Sequence, residues 1–240
     1  MRCWRTAGIV AIFGLLSACS VSSDEPEGGT VTVTVNGGNS VTVLGDGIPG
    51  NGDVITQPRE ANGFEKISLR GAITLRASAG GAFSVTVEVD ENLQAYVVSE
   101  VSDGELKLRT SEPIRPSKDI IVTVSAPTLT GVDMSGATDA TVSGISGNSF
   151  ELDASGSADA TLAGTVAAFK ADLSGSTDLN ASSLITKTTK IEVSGAGSAN
   201  VHATEELDAR VSGSGDLTYA GSPPKVETKI SGAGSVEPKN

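Results

Sequence analysis

Sulfur, imidazole and aromatic rings are scarce in this chain, and each scarcity removes a class of chemistry. Both cysteines, Cys3 and Cys19, and the single tryptophan, Trp4, fall in the first nineteen residues. Beyond that point no disulfide, thiolate-bound metal or thiol nucleophile can be built. The one histidine, His202, follows the inward-facing Val201 and has no serine-and-acid context, which reads as an outward imidazole and not a general base. Aromatic residues make up 3% of 240. Tyr96 and Tyr219 are the only tyrosines and Tyr219 falls on an inward row, so aromatic platforms for sugar stacking are poorly supported. Basic residues number 17 against 29 acidic ones, a net charge of −12. Such acidity argues against a phosphate-backbone ligand, and nucleic acid is excluded as an expected partner.

What the chain has instead is glycine, 29 residues of it, and a repeat. Ser-Gly recurs at Ser135-Gly136, Ser155-Gly156, Ser174-Gly175, Ser194-Gly195, Ser212-Gly213 and Ser231-Gly232, at steps of 20, 19, 20, 18 and 19 residues. A near-constant period of this size belongs to architectures in which one repeat cannot bury its apolar face without neighbours.

Aligned on the serine, the copies show alternation. One residue before it stand Met134, Ala154, Leu173, Val193, Val211 and Ile230; three before it stand Val132, Leu152, Ala171, Ile191, Ala209 and Thr228. Between these lie Asp133, Asp153, Asp172, Glu192, Arg210 and Lys229. Period-two alternation of apolar and charged side chains is that of a strand with one face inward and one in water. After the dipeptide, Asp139, Asp159, Asp178, Ser198, Asp216 and Ser235 hold a turn-like position, and an inward row resumes with Ala140, Ala160, Leu179, Ala199, Leu217 and Val236.

Each repeat therefore reads as two short strands joined at a Ser-Gly corner, and the fold expected is all-β: a parallel β-solenoid with repeats of roughly 19 to 20 residues. Gly136, Gly156, Gly175, Gly195, Gly213 and Gly232 are its expected structural turns. Stacked at about 4.8 Å, six repeats make a stem of roughly 25 to 30 Å. From Phe64 to Pro127 the alternation is less regular, with Asp103-Gly104 as a turn signal; these strands are expected to form the first, wider coils and to shield one open end. No helix is expected.

The start of the chain is a targeting signal. Arg2 and Arg5 precede the apolar stretch from Ala7 to Leu16, which is too short for a mature membrane span, and Leu16-Ser17-Ala18-Cys19 closes it. This resembles the bacterial lipobox. The resemblance implies a signal peptide over residues 1–18, acylation of Cys19 as the first mature residue, and, with Ser20 in place of an aspartate after it, sorting to the outer membrane, facing either the periplasm or the exterior. Residues 19–60 read as a flexible tether rich in Gly and Pro. Inside it Val31 to Val35 and Val41 to Leu44 could pair as a hairpin over 31–44; a lone hairpin is marginal in water, and disorder is the favoured reading.

Residues 61–237 form the expected solenoid domain. The order Phe-Glu-Lys-Ile-Ser-Leu at 64–69, Val-Ser-Ala-Pro-Thr-Leu at 124–129, then Ser-Gly-Ala-Gly-Ser at 194–198 and Ser-Gly-Ser-Gly-Asp at 212–216 is similar to the auto-transporter adhesin head GIN domain family. That resemblance implies a right-handed parallel β-helix, a cell-surface or adhesion role, and no shared catalytic residues. In three corners the family's second glycine is replaced by Thr138, Ala158 and Thr177, which puts the turn type there in question.

Rival chemistry has to come from the carboxylate rows. Asp133, Asp153 and Asp172, or Asp139, Asp159 and Asp178, would lie about one strand spacing apart, near the separation of a retaining glycosidase pair. Any acidic ladder of this kind produces that spacing, and solvated turn carboxylates are the commoner outcome. The same rows could attract Ca²⁺, but the calcium-roll repeat is absent and Ser198 and Ser235 interrupt the ladder. The expectation is a non-enzymatic, lipid-anchored envelope protein that binds a polysaccharide or protein surface, without metal or cofactor. The alternatives are a polysaccharide-acting enzyme and a ligand-free structural component.

Overall fold

The computed structural model describes residues 31–33, 41–43 and 47–239; the expected signal peptide and Cys19 lie outside the described residues. Val31–Val33 and Val41–Val43 pair antiparallel, Val31 opposite Val43. From residue 47 onward the chain is nearly all strand, and among the described residues the one helix is the short 3-10 segment Glu91–Tyr96.

The repeats lie side by side, parallel and in register. Ile191, Val193 and Gly195 pair with Ala209, Val211 and Gly213, and these in turn pair with Thr228, Ile230 and Gly232. Beyond the corner, Ser198 pairs with Asp216 and Asp216 with Ser235. The run Gly131–Gly195 is extended throughout and passes over itself, so Gly156 lies on the backbone of Gly136, Gly175 on Gly156 and Gly195 on Gly175.

The apolar rows fill the space between. Val132, Met134, Leu152, Leu173, Ile191, Val193 and Val211 are all buried. Large and small alternate within a repeat and between neighbours: Leu152 with Ala154, then Ala171 with Leu173, an alternation that suits interlocking layers. A further inward row, five residues before the serine, begins with Phe150 and Phe169, whose rings stand 6.5 Å apart. The next member is Thr189, buried and satisfied by a 2.6 Å hydrogen bond with Thr186, which also donates to the His202 carbonyl.

The corners form one ridge. All six Ser-Gly glycines have positive φ, between 87° and 140°. A side chain on any of them would run into the backbone of the glycine one repeat earlier; on Gly136 it would meet the Gly71 carbonyl at 2.6 Å. Two requirements coincide there, a backbone region hostile to L side chains and an approach too close for a Cβ. Where the second glycine is replaced, Thr138, Ala158 and Thr177 turn inward and are buried. The strand then runs through the corner unbroken, whereas it breaks at Gly197 and Gly215.

Gly71 marks an additional repeat without the Ser-Gly signature. Lys66–Gly71 pairs in register with Gly131 to Gly136 and Ile73–Ala79 with Asp139 to Ser143. The strands around it are only partly parallel, which corrects the expectation of coils for residues 64–127: Glu105–Thr110 runs parallel to Lys66–Gly71 and Ile120–Ala126 to Ile73–Ala79, but the others do not. Ser84–Asp90 runs antiparallel to Ile120–Ala126 and to Val54–Arg59, and Val97–Ser102 antiparallel to Glu105–Thr110. The sheets are therefore mixed. Asp103 and Gly104, at φ 55° and 76°, make a two-residue turn with both central residues left-handed, and that turn forces the chain straight back. Val54–Arg59 belongs to this region although the sequence places it in the tether.

Two glycines with positive φ separate conformation from space. Gly104→Ala, which has open surroundings, is expected to cost about 1 kcal/mol. Gly195→Ala, driven into the Gly175 backbone, is expected to cost about 3 kcal/mol. Urea denaturation checks this; equal losses would remove the close-packed ridge.

Candidate functional site

Outward side chains on either side of the corner ridge carry most of the polar chemistry. On the side before it, the carboxylates do not stand alone. Lys170 bridges Glu151 at 2.9 Å and Asp172 at 2.7 Å, and Lys66 reaches Glu151 at 3.2 Å. Further along, Arg210 holds Glu192 at 2.6 Å and Asp208 at 3.1 Å, and Lys225 holds Glu206 at 2.5 Å. Hydrogen bonds from Lys170 and then Lys66 keep Glu151 below the usual carboxylate range.

Asp153 lies inside this ladder without a direct cation. Partial burial, followed by repulsion from Glu151, raises its pKa. It lines a depression of about 80 Å³ with Lys66, Glu105, Asp133 and Glu151, well under the several hundred Å³ of a small-molecule site. The face is a charge-balanced ladder.

Lys170 and Lys190 stand in a row that the serine alignment passed over. Four residues before the serine stand Glu151, Lys170, Lys190, Asp208 and Glu227; two before stand Asp153, Asp172, Glu192, Arg210 and Lys229. From Lys170 onward the two rows are opposite in sign, and the sign reverses between the fourth and fifth copies. Comparing the rows with each other is the signal that finds the pairs.

The face after the corner differs. Asp178 accepts the backbone N–H and hydroxyl of Ser198 at 2.7 and 2.6 Å, and Asp216 does the same for Ser235 at 3.0 and 2.8 Å. The serines that interrupt the acidic row are thus donors to the carboxylate beside them. The Ser198 hydroxyl, then its N–H, lowers the Asp178 pKa. Asp159, between Asp139 and Asp178, has its pKa raised by desolvation and by both neighbours. Asp159, Asp178, Asn180, Ser182, Ser198 and Asn200 line an open groove of about 470 Å³. This ledge of amide, hydroxyl and carboxylate groups offers both donors and acceptors to a ligand.

Other expected positions lie apart from it. His202 is half-buried in Ser198–Gly213, and Tyr96 and Tyr219 pack against the core as partly buried rings. No group of three or more His, Cys, Asp or Glu side chains gathers in metal-binding geometry among the described residues. Asp90 is the one fully buried carboxylate among them. It accepts from Gly52 N–H at 2.8 Å and from Ser117 N–H and hydroxyl at 2.8 and 2.6 Å, which ties residues 50–53 to the loop before Ile120–Ala126. It is a structural clamp.

With the repeat and its faces described, the class of protein can be stated: an all-β chain of the adhesin-like kind. The chain belongs to the family described as "Putative auto-transporter adhesin, head GIN domain", which it matches over residues 63–223. Its fold is similar to that of a putative adhesin from Bacteroides fragilis NCTC 9343, at TM-score 0.66 and 22% identity, covering 80% of this chain and 100% of that one. A putative adhesin from Parabacteroides merdae ATCC 43184 is similar at TM-score 0.53 and 21% identity, with 82% and 100% covered. Among curated proteins no sequence matches this chain.

Two substitutions are expected to move stability in opposite directions. The Asp90 pKa is lowered in the fold, chiefly by the Ser117 hydroxyl, so its contribution is present above the ordinary carboxylate range and lost as pH falls through the depressed value. Asp90→Asn should cost about 2 kcal/mol at pH 7. Asp159, with its pKa raised, is ionised at a cost at neutral pH, so Asp159→Asn should stabilise at pH 7 and lose that advantage as pH falls through the raised value into the ordinary carboxylate range. Urea midpoints at pH 7 and pH 3 test both signs.

Proposed function

We propose that this chain is a non-enzymatic, lipid-anchored protein of the bacterial outer membrane whose domain binds a polysaccharide or protein surface. In this reading residues 1–18 are a signal peptide, Cys19 is the acylated mature N-terminus, the segment that follows is a tether, and the repeats form a right-handed parallel β-helix. The six Ser-Gly glycines are its turns. The family supports an adhesin-like, envelope-associated role. The in-register parallel pairing of equivalent residues supports the helix.

The observation that carries the binding reading is the polar ledge from Asp159 to Asn200. It is held on a stack of paired strands and is rich in groups that both donate and accept, as recognition of a hydroxyl-rich or amide-rich surface requires. Its aromatic content is nil, so recognition there rests on hydrogen bonds.

One observation favours the enzyme reading. Asp159 is pushed up and Asp178 down on the same groove, the separation an acid and its partner carboxylate need. Against it, both carboxylates are exposed, and Asp178 is already occupied by two donors of Ser198.

Two measurements test the proposal. Cys19→Ala should abolish palmitate labelling and release the protein from the membrane fraction; retention would contradict the anchor. For the ledge, the double variant Asp178→Ala and Asn200→Ala should weaken adsorption to a panel of envelope polysaccharides and surface proteins at least tenfold. Unchanged adsorption would contradict ledge binding. Release of reducing ends from a polysaccharide, lost in Asp159→Asn, would favour the enzyme.

A further inference from the structure

The two ends of the stack are finished differently. At the N-terminal end both sheets continue past the first repeat, each through one more parallel strand and then into antiparallel ones, and Leu93 of the 3-10 segment is buried there. At the other end nothing among the described residues covers the last repeat. Every residue of Lys225–Gly232 is exposed, whereas the strands before it alternate between buried and open positions. Val226, 39% exposed, and Ile230, 47% exposed, continue inward rows that are otherwise fully buried. Among the described residues the strand pairs on one side only, with Ser198–Gly213, which leaves the backbone donors and acceptors of its outer edge without a strand partner there.

Such an edge invites another strand. The second strand of this last repeat, Ser235–Pro238, is blunted by Pro238, which has no N–H to give. No proline interrupts Lys225–Gly232.

The sequence of this edge is complementary to itself. In an antiparallel pair centred on Thr228, Val226 comes opposite Ile230 of the second strand on the inward face, and Glu227 comes opposite Lys229 on the outward face. The two-fold repeats each pairing, so two apolar and two opposite-charge pairs form at once. A register shifted by two residues in either direction loses at least one such match. An isologous contact of this kind is closed, because each edge is used up by the other.

We propose that the open end is a homodimer interface, in which two copies of this chain join tail to tail through antiparallel pairing of Lys225–Gly232 about Thr228. The inward rows then run on from one copy to the next, covering Val226 and Ile230, and the two N-terminal ends point away from each other. This does not depend on what the polar ledge binds.

The test is a charge exchange on the full chain, read by sedimentation equilibrium. Lys229→Glu sets Glu227 against a like charge on both sides of the two-fold, and Glu227→Lys does the same to Lys229. Each should weaken dimerisation roughly tenfold or more. Mixing the two variants should restore a dimer containing one of each, and the double variant carrying both changes should dimerise like the parent. Both positions face water, so circular dichroism and melting temperature of the monomers should stay the same. A parent chain that is monomeric at 100 μM would overturn the proposal. So would a dimer indifferent to both single changes, or a failure of the mixture to associate.

Discussion

Everything in this structure depends on chain segments about nineteen residues apart meeting backbone to backbone, with no side chain between them at the corner. At the ridge from Gly71 to Gly232 the approach is so close that a methyl group on one glycine would overlap the carbonyl of the one before it. Once those corners are superposed, hydrogen bonding between adjacent strands sets the register, and the register sets everything else. Inward rows become columns of Leu, Ile, Val and Ala. Outward rows become columns of charge.

That second consequence makes the electrostatics a property of the stack. A column of like charges at strand spacing repels, and this chain relieves it in two ways. Before the corner, cations of one row are interleaved with carboxylates of the next, as Lys170 is with Glu151 and Asp172. After the corner, serine replaces every second carboxylate late in the column and donates to its neighbour. On this side Asp139, Asp159 and Asp178 still stand three in a row, and desolvation followed by repulsion from both neighbours raises the pKa of the middle one. The open groove beside Asp159 and Asp178 lies where this relief is least complete.

The repeat and the inward rows were legible because each is periodic, and a period of two within a period of about nineteen has few structural solutions. The N-terminal part was less legible. Gly71 stacks on the ridge after Arg70 rather than a serine, so the signature that locates the other corners is missing. The antiparallel strands from Ser84 to Ala126 follow from partner choice across long separations; the Asp103-Gly104 turn announced one hairpin, but nothing local shows that Ile120–Ala126 inserts beside Ile73–Ala79. No local pattern marks Asp90 as buried; only the fold brings Gly52 and Ser117 to it. Phe150 and Phe169 sat in an inward row that the alignment did not reach, and the ion pairs needed two rows to be compared.

In-register parallel pairing is the central claim, and a cross-link reads it directly. Asn200 lies opposite Thr218 in adjacent repeats. With Cys3 and Cys19 replaced by serine, cysteines placed at Asn200 and Thr218 should close a disulfide under mild oxidation in nearly every molecule, because such a bond tolerates Cα atoms only about 4.4 to 6.8 Å apart. Peptide mass spectrometry would locate it. Absence of that bond, with cysteines at Asn200 and Asp216 closing readily instead, would place the strands in another register and contradict the account.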